Sequence, residues 1–202
     1  NNEDAYVDVY RNFVSPLTKW AGGVRIDYLK HQRLFPAVEK GAPSTLPEVG
    51  LKATIQNVWG GYQFPLKSRT AEEVNSNIVL AARFQNYVYA YSPPLELDPG
   101  RFFQSHNLYL GSISYTERKF DVKKNIFSYD LPEDVPYGKL FTLTAGALKL
   151  RNDAVQPYFG ATAGFGTFSN AGYFNYQAQF GTYFKEQKNY RSTFRIDGTY
   201  FR

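Results

Sequence analysis

Neither cysteine nor methionine occurs in the 202 residues. The first absence excludes a disulfide framework and a thiolate metal site. The second means that Asn1 is not a translation start, so the chain reads as a processed product, as after removal of a signal peptide, or as a piece of a longer protein. No apolar run approaches 18 residues, which excludes membrane-spanning helices but leaves a barrel open. Helical periodicity is missing too, beyond a single turn at 70–75 (TAEEVN). The net charge of +5 comes from Lys and Arg dispersed among acids, so there is no basic run with interleaved aromatics to mark a nucleic-acid partner. No fixed repeat of 20 to 50 residues is present, against a propeller or solenoid.

What is abundant is alternation. In the last strand Thr193, Arg195, Asp197 and Thr199 alternate with Phe194, Ile196, Gly198 and Tyr200; before it Asn175, Gln177 and Gln179 alternate with Phe174, Tyr176, Ala178 and Phe180. A pleated strand sends successive side chains to opposite faces, so each puts polar groups on one side and apolar groups on the other. The pattern recurs at 5–14, at 20–34 where Val24, Ile26 and Tyr28 oppose Arg25, Asp27 and His31, at 51–59, and at 77–91. A hairpin is expected from 106–119 and 120–129 around Glu117-Arg118-Lys119, then four strands from Lys139 to Arg202. Pro- and Gly-rich stretches at 35–48 and 92–101 read as loops, and Pro132, Glu133, Asp134, Pro136 and Gly138 as a turn.

The expected fold is all-β: an antiparallel transmembrane β-barrel, or a large part of one, with about ten strands in a single domain over 1–202 that is incomplete at one or both ends. Arg25, Asp27, Arg83, Gln85, Arg195 and Asp197 are assigned to the lumen, where charge finds water or a partner. Phe174, Tyr176, Phe180, Phe194, Ile196 and Tyr200 are assigned to lipid. With 17 Tyr, the chain is rich in a side chain suited to a boundary that is apolar at one end and wet at the other. Taken alternately, the turns at 35–48, 92–104 and 130–138 fall on one side and are somewhat longer on average, but the 60–76 segment on the other side removes the contrast in length that would mark the extracellular side.

Three runs carry a family resemblance: 11–23 (RNFVSPLTKWAGG), 57–61 (NVWGG) and 132–138 (PEDVPYG). In that order they resemble segments of the BamA/TamA-like surface antigens of Bacteroidetes. The resemblance implies a sixteen-strand outer-membrane barrel behind periplasmic POTRA domains, which inserts or translocates other outer-membrane proteins and has no catalytic residue or cofactor. The chain departs from that family in carrying neither POTRA domains nor the Arg-Gly of its VRGF/Y loop motif.

Other chemistry is weaker. Ser105 and His106 are adjacent on a strand and point to opposite faces, so they make no nucleophile–base dyad, and Ser112 and Ser114 lie too far along from His106. The acid pairs Glu133/Asp134 and Glu96/Asp98 lack the further oxygens a Ca²⁺ site needs and read as solvated or as caps on backbone N–H groups. Gly160, Gly164 and Gly166 are not followed by a helix, which rules out a dinucleotide loop; on a strand they share one face. No catalytic residue, metal or cofactor is expected. The expected partners are outer-membrane lipid, client outer-membrane proteins and other envelope proteins. The alternatives are a passive channel or structural barrel, a lipid-modifying barrel, and a soluble β-sandwich binding module.

Overall fold

The computed structural model describes residues 2–14, 18–34, 48–66, 75–94, 96–98, 102–124, 131–151, 154–169, 171–185 and 188–201. They form nine strands and no helix: β1 (Glu3–Arg11), β2 (Trp20–Leu34), β3 (Glu48–Leu66), β4 (Asn75–Tyr91), β5 (His106–Lys124), β6 (Pro132–Leu150), β7 (Gln156–Ser169), β8 (Gly172–Lys185) and β9 (Lys188–Phe201). All pair antiparallel with their sequence neighbours in one sheet of order β1 to β9. The sheet is not closed: β1 and β9 are edges.

The alternation that predicts strands also sets their lengths. β2 begins and ends where its alternation does. β3 runs past Trp59 through Gly60-Gly61-Tyr62 to Leu66, because two glycines interrupt the apolar pattern without interrupting the backbone ladder. Two expectations are corrected. The charged run 117–119 is not a hairpin turn but the middle of β5, its Glu117 and Lys119 paired at 3.1 Å on one face. Nor do Pro132, Glu133, Asp134, Pro136 and Gly138 form a turn; they open β6, paired with β5 from Lys124 to Arg118. The reason is local. β7 joins β6 only from Gly138 onward, so 132–137 has a free side, and prolines without an N–H are tolerated there. Tyr173 Oη donates to the Pro136 carbonyl at 2.8 Å and ties this ribbon to β8.

With β5 whole, the connections redistribute. The strand ends Arg11/Trp20, Leu66/Asn75, Lys124/Pro132 and Ser169/Gly172 lie at one end of the sheet, and Leu34/Glu48, Tyr91/His106, Leu150/Gln156 and Lys185/Lys188 at the other. The expected grouping of the third loop with the first two is therefore overturned. The helical turn expected at 70–75 falls on residues outside the described set except Asn75, which begins β4. In the 92–105 connection Asp98 is buried and its carboxylate accepts from the N–H groups of Phe102 and Phe103, both at 2.9 Å. Asp98→Ala strands both donors and is expected to cost about 1–2 kcal/mol, measured as a shift of the urea midpoint.

Among the described residues no second layer packs on this sheet. Among the described residues no large side chain is fully buried, and the buried apolar set is Ala21, Leu51, Ala53, Val135 and Tyr173. A two-faced sheet of this size in water ordinarily hides one face against another element. Among the described residues no further strand or helix covers either face, although Phe13 reaches over Gly61 on one of them.

Candidate functional site

Register and alternation together assign the strand residues to faces, apart from two register shifts, at Lys52/Ala53 against β4 and at Tyr183/Phe184 against β9; the first brings Tyr91 opposite Lys52. Asp8 pairs with Arg25, Arg25 with Asn57, and Asn57 with Gln85, so these four share one face. Carried across the sheet, that face holds Arg83, Ser112, Ser114, Thr142, Thr144, Gly160, Thr162, Gln177, Gln179, Arg195 and Asp197. It is concave: one hollow of about 380 Å³ is lined by Asp8 on β1 and by Thr144 on β6. All six residues expected in a lumen project from it.

Its charges are neutralised locally. The Arg25 guanidinium donates to Asp27 at 2.6 and 2.9 Å, faces Asp8 at 3.6 Å, and lies 4.7 Å from the Tyr6 ring centre. Arg83 Nε donates to Asn57 Oδ1 at 2.9 Å, and the Gln85 amide, oriented to satisfy both groups, accepts from Arg83 at 3.0 Å. On β9 Arg195 donates to Asp197 at 2.7 and 2.8 Å. Between these flanks the middle of the face, at Ser112, Ser114, Thr142, Thr144 and Thr162, carries no charge, and the Ser114 and Thr142 hydroxyls are 2.9 Å apart. Gly160 and Gly181 are cross-strand partners under the Tyr158 hydroxyl; a Cβ at either would lie 2.7 Å from it.

The opposite face is convex and exposed. Phe174, Tyr176, Phe180, Phe194, Ile196 and Tyr200, expected against lipid, all project from it, with Ile196 66% and Phe194 68% accessible. Val7, Val9, Val24, Ile26, Val58, Leu80, Tyr109, Ile113, Phe141, Leu143, Phe159 and Phe165 join them. On β6 the apolar window Phe141, Leu143, Ala145, Ala147 is bracketed by Lys139 and Lys149. On β5 it runs from Tyr115 to Tyr109 between Glu117 and Asn107, and on β4 from Ile78 to Phe84 between Ser76 and Asn86. Ten residues of strand span roughly 33 Å, which at a tilt of about 40° gives a height of about 25 Å.

A tilt follows from the register if two matching tripeptides are taken to stand at one height. Arg25-Ile26-Asp27 and Arg195-Ile196-Asp197 are the same tripeptide on β2 and β9. Following the ladder, Ile26 shares a row with Gln56, Asn86, Asn107 and Lys149, whereas Ile196 shares one with Ala178, Ala163 and Phe141. The offset is eight positions on β6 over seven strand steps. On the convex face the windows of β4, β5 and β6 keep to the same rows, but between the flanks Val24 shares a row with Ala147 and Phe194 with Leu143, an offset in the same direction. About 1.1 residues per strand, with ~3.3 Å along and ~4.8 Å across, corresponds to a tilt of roughly 38°, within the range of closed barrels.

No protein-family model, curated protein or solved structure matches the chain. The three runs that carry the family resemblance fall at the β1–β2 connection, within β3, and at the start of β6.

The remaining candidates are engaged separately. Ser105 Oγ accepts from the Tyr89 N–H at 2.9 Å; His106 Nδ1 donates to the Gln104 carbonyl at 2.8 Å, and its ring stacks on Tyr87 at 4.5 Å. His31 Nε2 meets Asp4 at 2.7 Å. Sequence reasoning missed Asp8 and Asn57, which partner the lumen-assigned arginines; only cross-strand register reveals them.

Proposed function

We propose that this chain is the membrane-spanning part of a bacterial outer-membrane β-barrel of the BamA/TamA-like type, assisting the insertion, assembly or translocation of outer-membrane proteins. One observation carries the membrane reading: a single-layer sheet whose convex face is an exposed apolar band about 25 Å high without a charged side chain among the described residues, while its concave face is polar. Water does not support such a face, and lipid does.

The assisting role rests on the edges and on the three resembling runs. β1 is exposed along its whole length, and among the described residues β1 and β9 each have one side with no strand paired to it. An incoming strand that adds to such an edge gains its ladder before it is released into lipid. The step is physical and requires no nucleophile, metal or cofactor. The partners are outer-membrane lipid, client barrels and other envelope proteins.

A passive channel is the second reading, favoured by the pairwise neutralisation of charge on the concave face, which suits a wet, weakly selective interior. The two separate in one experiment. The protein with its native flanking sequence is reconstituted in vesicles, and folding of a urea-denatured barrel client is followed by protease protection alongside ion conductance. Faster client folding than in empty vesicles is the expected outcome. Equal client folding with steady conductance would replace the assembly role with the channel.

A further inference from the structure

Lys30 on β2 and Lys52 on β3 are direct cross-strand partners, and both project from the convex face. Like charges placed directly opposite one another destabilise a sheet unless an anion lies between them. They line a hollow of about 470 Å³ together with Tyr28 and Tyr91. Lys52 Nζ lies 5.6 Å from the Tyr28 ring centre. Lys30 Nζ is 3.0 Å from Glu3 Oε1, so the cluster keeps a net single positive charge. His31 also borders the hollow, while by register it and Asp4, 2.7 Å apart, belong to the concave face. Along β2 the site immediately follows the apolar residues Val24, Ile26 and Tyr28, which puts it at the border of the band rather than within it.

We propose that this hollow is a binding site for the phosphate headgroup of an anionic phospholipid. It rests on the membrane reading above. The lysines supply two ammonium donors for phosphate oxygens, and Tyr28 and Tyr91 give the glycerol region an apolar wall with a wet hydroxyl end. The acyl chains then run along the band beside Ile26 and Val24. A free phosphate would gain only the charged half of these contacts, so the lipid is the occupant. Lys149 stands at the same border on β6 and extends the basic rim.

The test uses the protein with its native flanking sequence, folded into vesicles of phosphatidylcholine containing a minor fraction of phosphatidylglycerol. Spin-labelled lipids of both kinds report their association, and heat-modifiable gel migration reports folding. Phosphatidylglycerol is expected to be preferred by about fivefold, the effect of the one net positive charge. The Lys30→Gln/Lys52→Gln double variant is expected to lose that preference while keeping the folded band. Lys52→Gln alone loses part of it, and Glu3→Gln raises it. Added inorganic phosphate is expected not to displace the lipid; displacement would make this a free-anion site and overturn the lipid assignment. Insertion with no preference, or a preference unchanged in all three variants, sinks the site and leaves the barrel standing. Failure to insert into either lipid sinks both.

Discussion

Leu143→Arg is expected to cost about 2–4 kcal/mol of folding free energy in a bilayer, the penalty for a guanidinium on the lipid face near the midplane. Leu143 projects from the convex face midway between Lys139 and Lys149 and is 54% accessible. Its neighbour Thr144 projects from the concave face and lines the polar hollow near Arg83. Thr144→Arg reaches water there and is expected to cost under about 1 kcal/mol. The pair is measured by urea titration of the vesicle-folded protein. In water the prediction reverses: an exposed Leu replaced by Arg changes stability by no more than about 0.5 kcal/mol. A neutral Leu143→Arg would therefore place the convex face in solvent and end the membrane reading.

The second large effect is expected at Gly138. Its φ of 143° lies where side chains are strained, and a Cβ built there collides with the carbonyl of Glu117 on the adjacent strand. Both obstacles are backbone, so no rotamer relieves them. Gly138→Ala is expected to cost about 3 kcal/mol or more. Gly146 faces a similar obstacle in the Tyr109 carbonyl and Leu110. Gly60 supplies the control: the nearest atom to its added Cβ is the Ala21 carbonyl oxygen at 4.0 Å. Gly60→Ala is expected to be neutral or stabilising by up to about 1 kcal/mol, since alanine loses less freedom on folding. Equal urea midpoints for Gly138→Ala and Gly60→Ala would show that the close approach of β5 and β6 is not a constraint.

Period-two patterning made the strands legible wherever both faces stayed distinct, as in β2, β8 and β9. It failed where a different signal competed. Glu117-Arg118-Lys119 has turn composition, yet each residue keeps its alternate face and the ladder continues. Pro132 and Pro136 read as a turn because proline is scarce in central strands, and a sequence does not reveal that this part of β6 has one unpaired side. Gly60-Gly61 erased the contrast on which β3 was judged. The two-sided grouping of Arg25, Arg83 and Arg195 against Phe174, Phe194 and Ile196 needed only parity within strands. The partners Asp8 and Asn57, and the opposition of Lys30 to Lys52, depended on register between strands, which no single segment encodes.

The nine-strand meander has an arithmetic consequence. Directions alternate, so β1 and β9 point the same way. Joining one edge to the other would create a parallel seam in an otherwise antiparallel sheet. A ring of copies in a common membrane orientation inherits the same mismatch, because β9 of one would meet β1 of the next. A wholly antiparallel cylinder therefore needs an odd number of strands between β9 and β1, whichever polypeptide supplies them. A single strand satisfies that count, and so does any odd larger set, while a hairpin by itself does not.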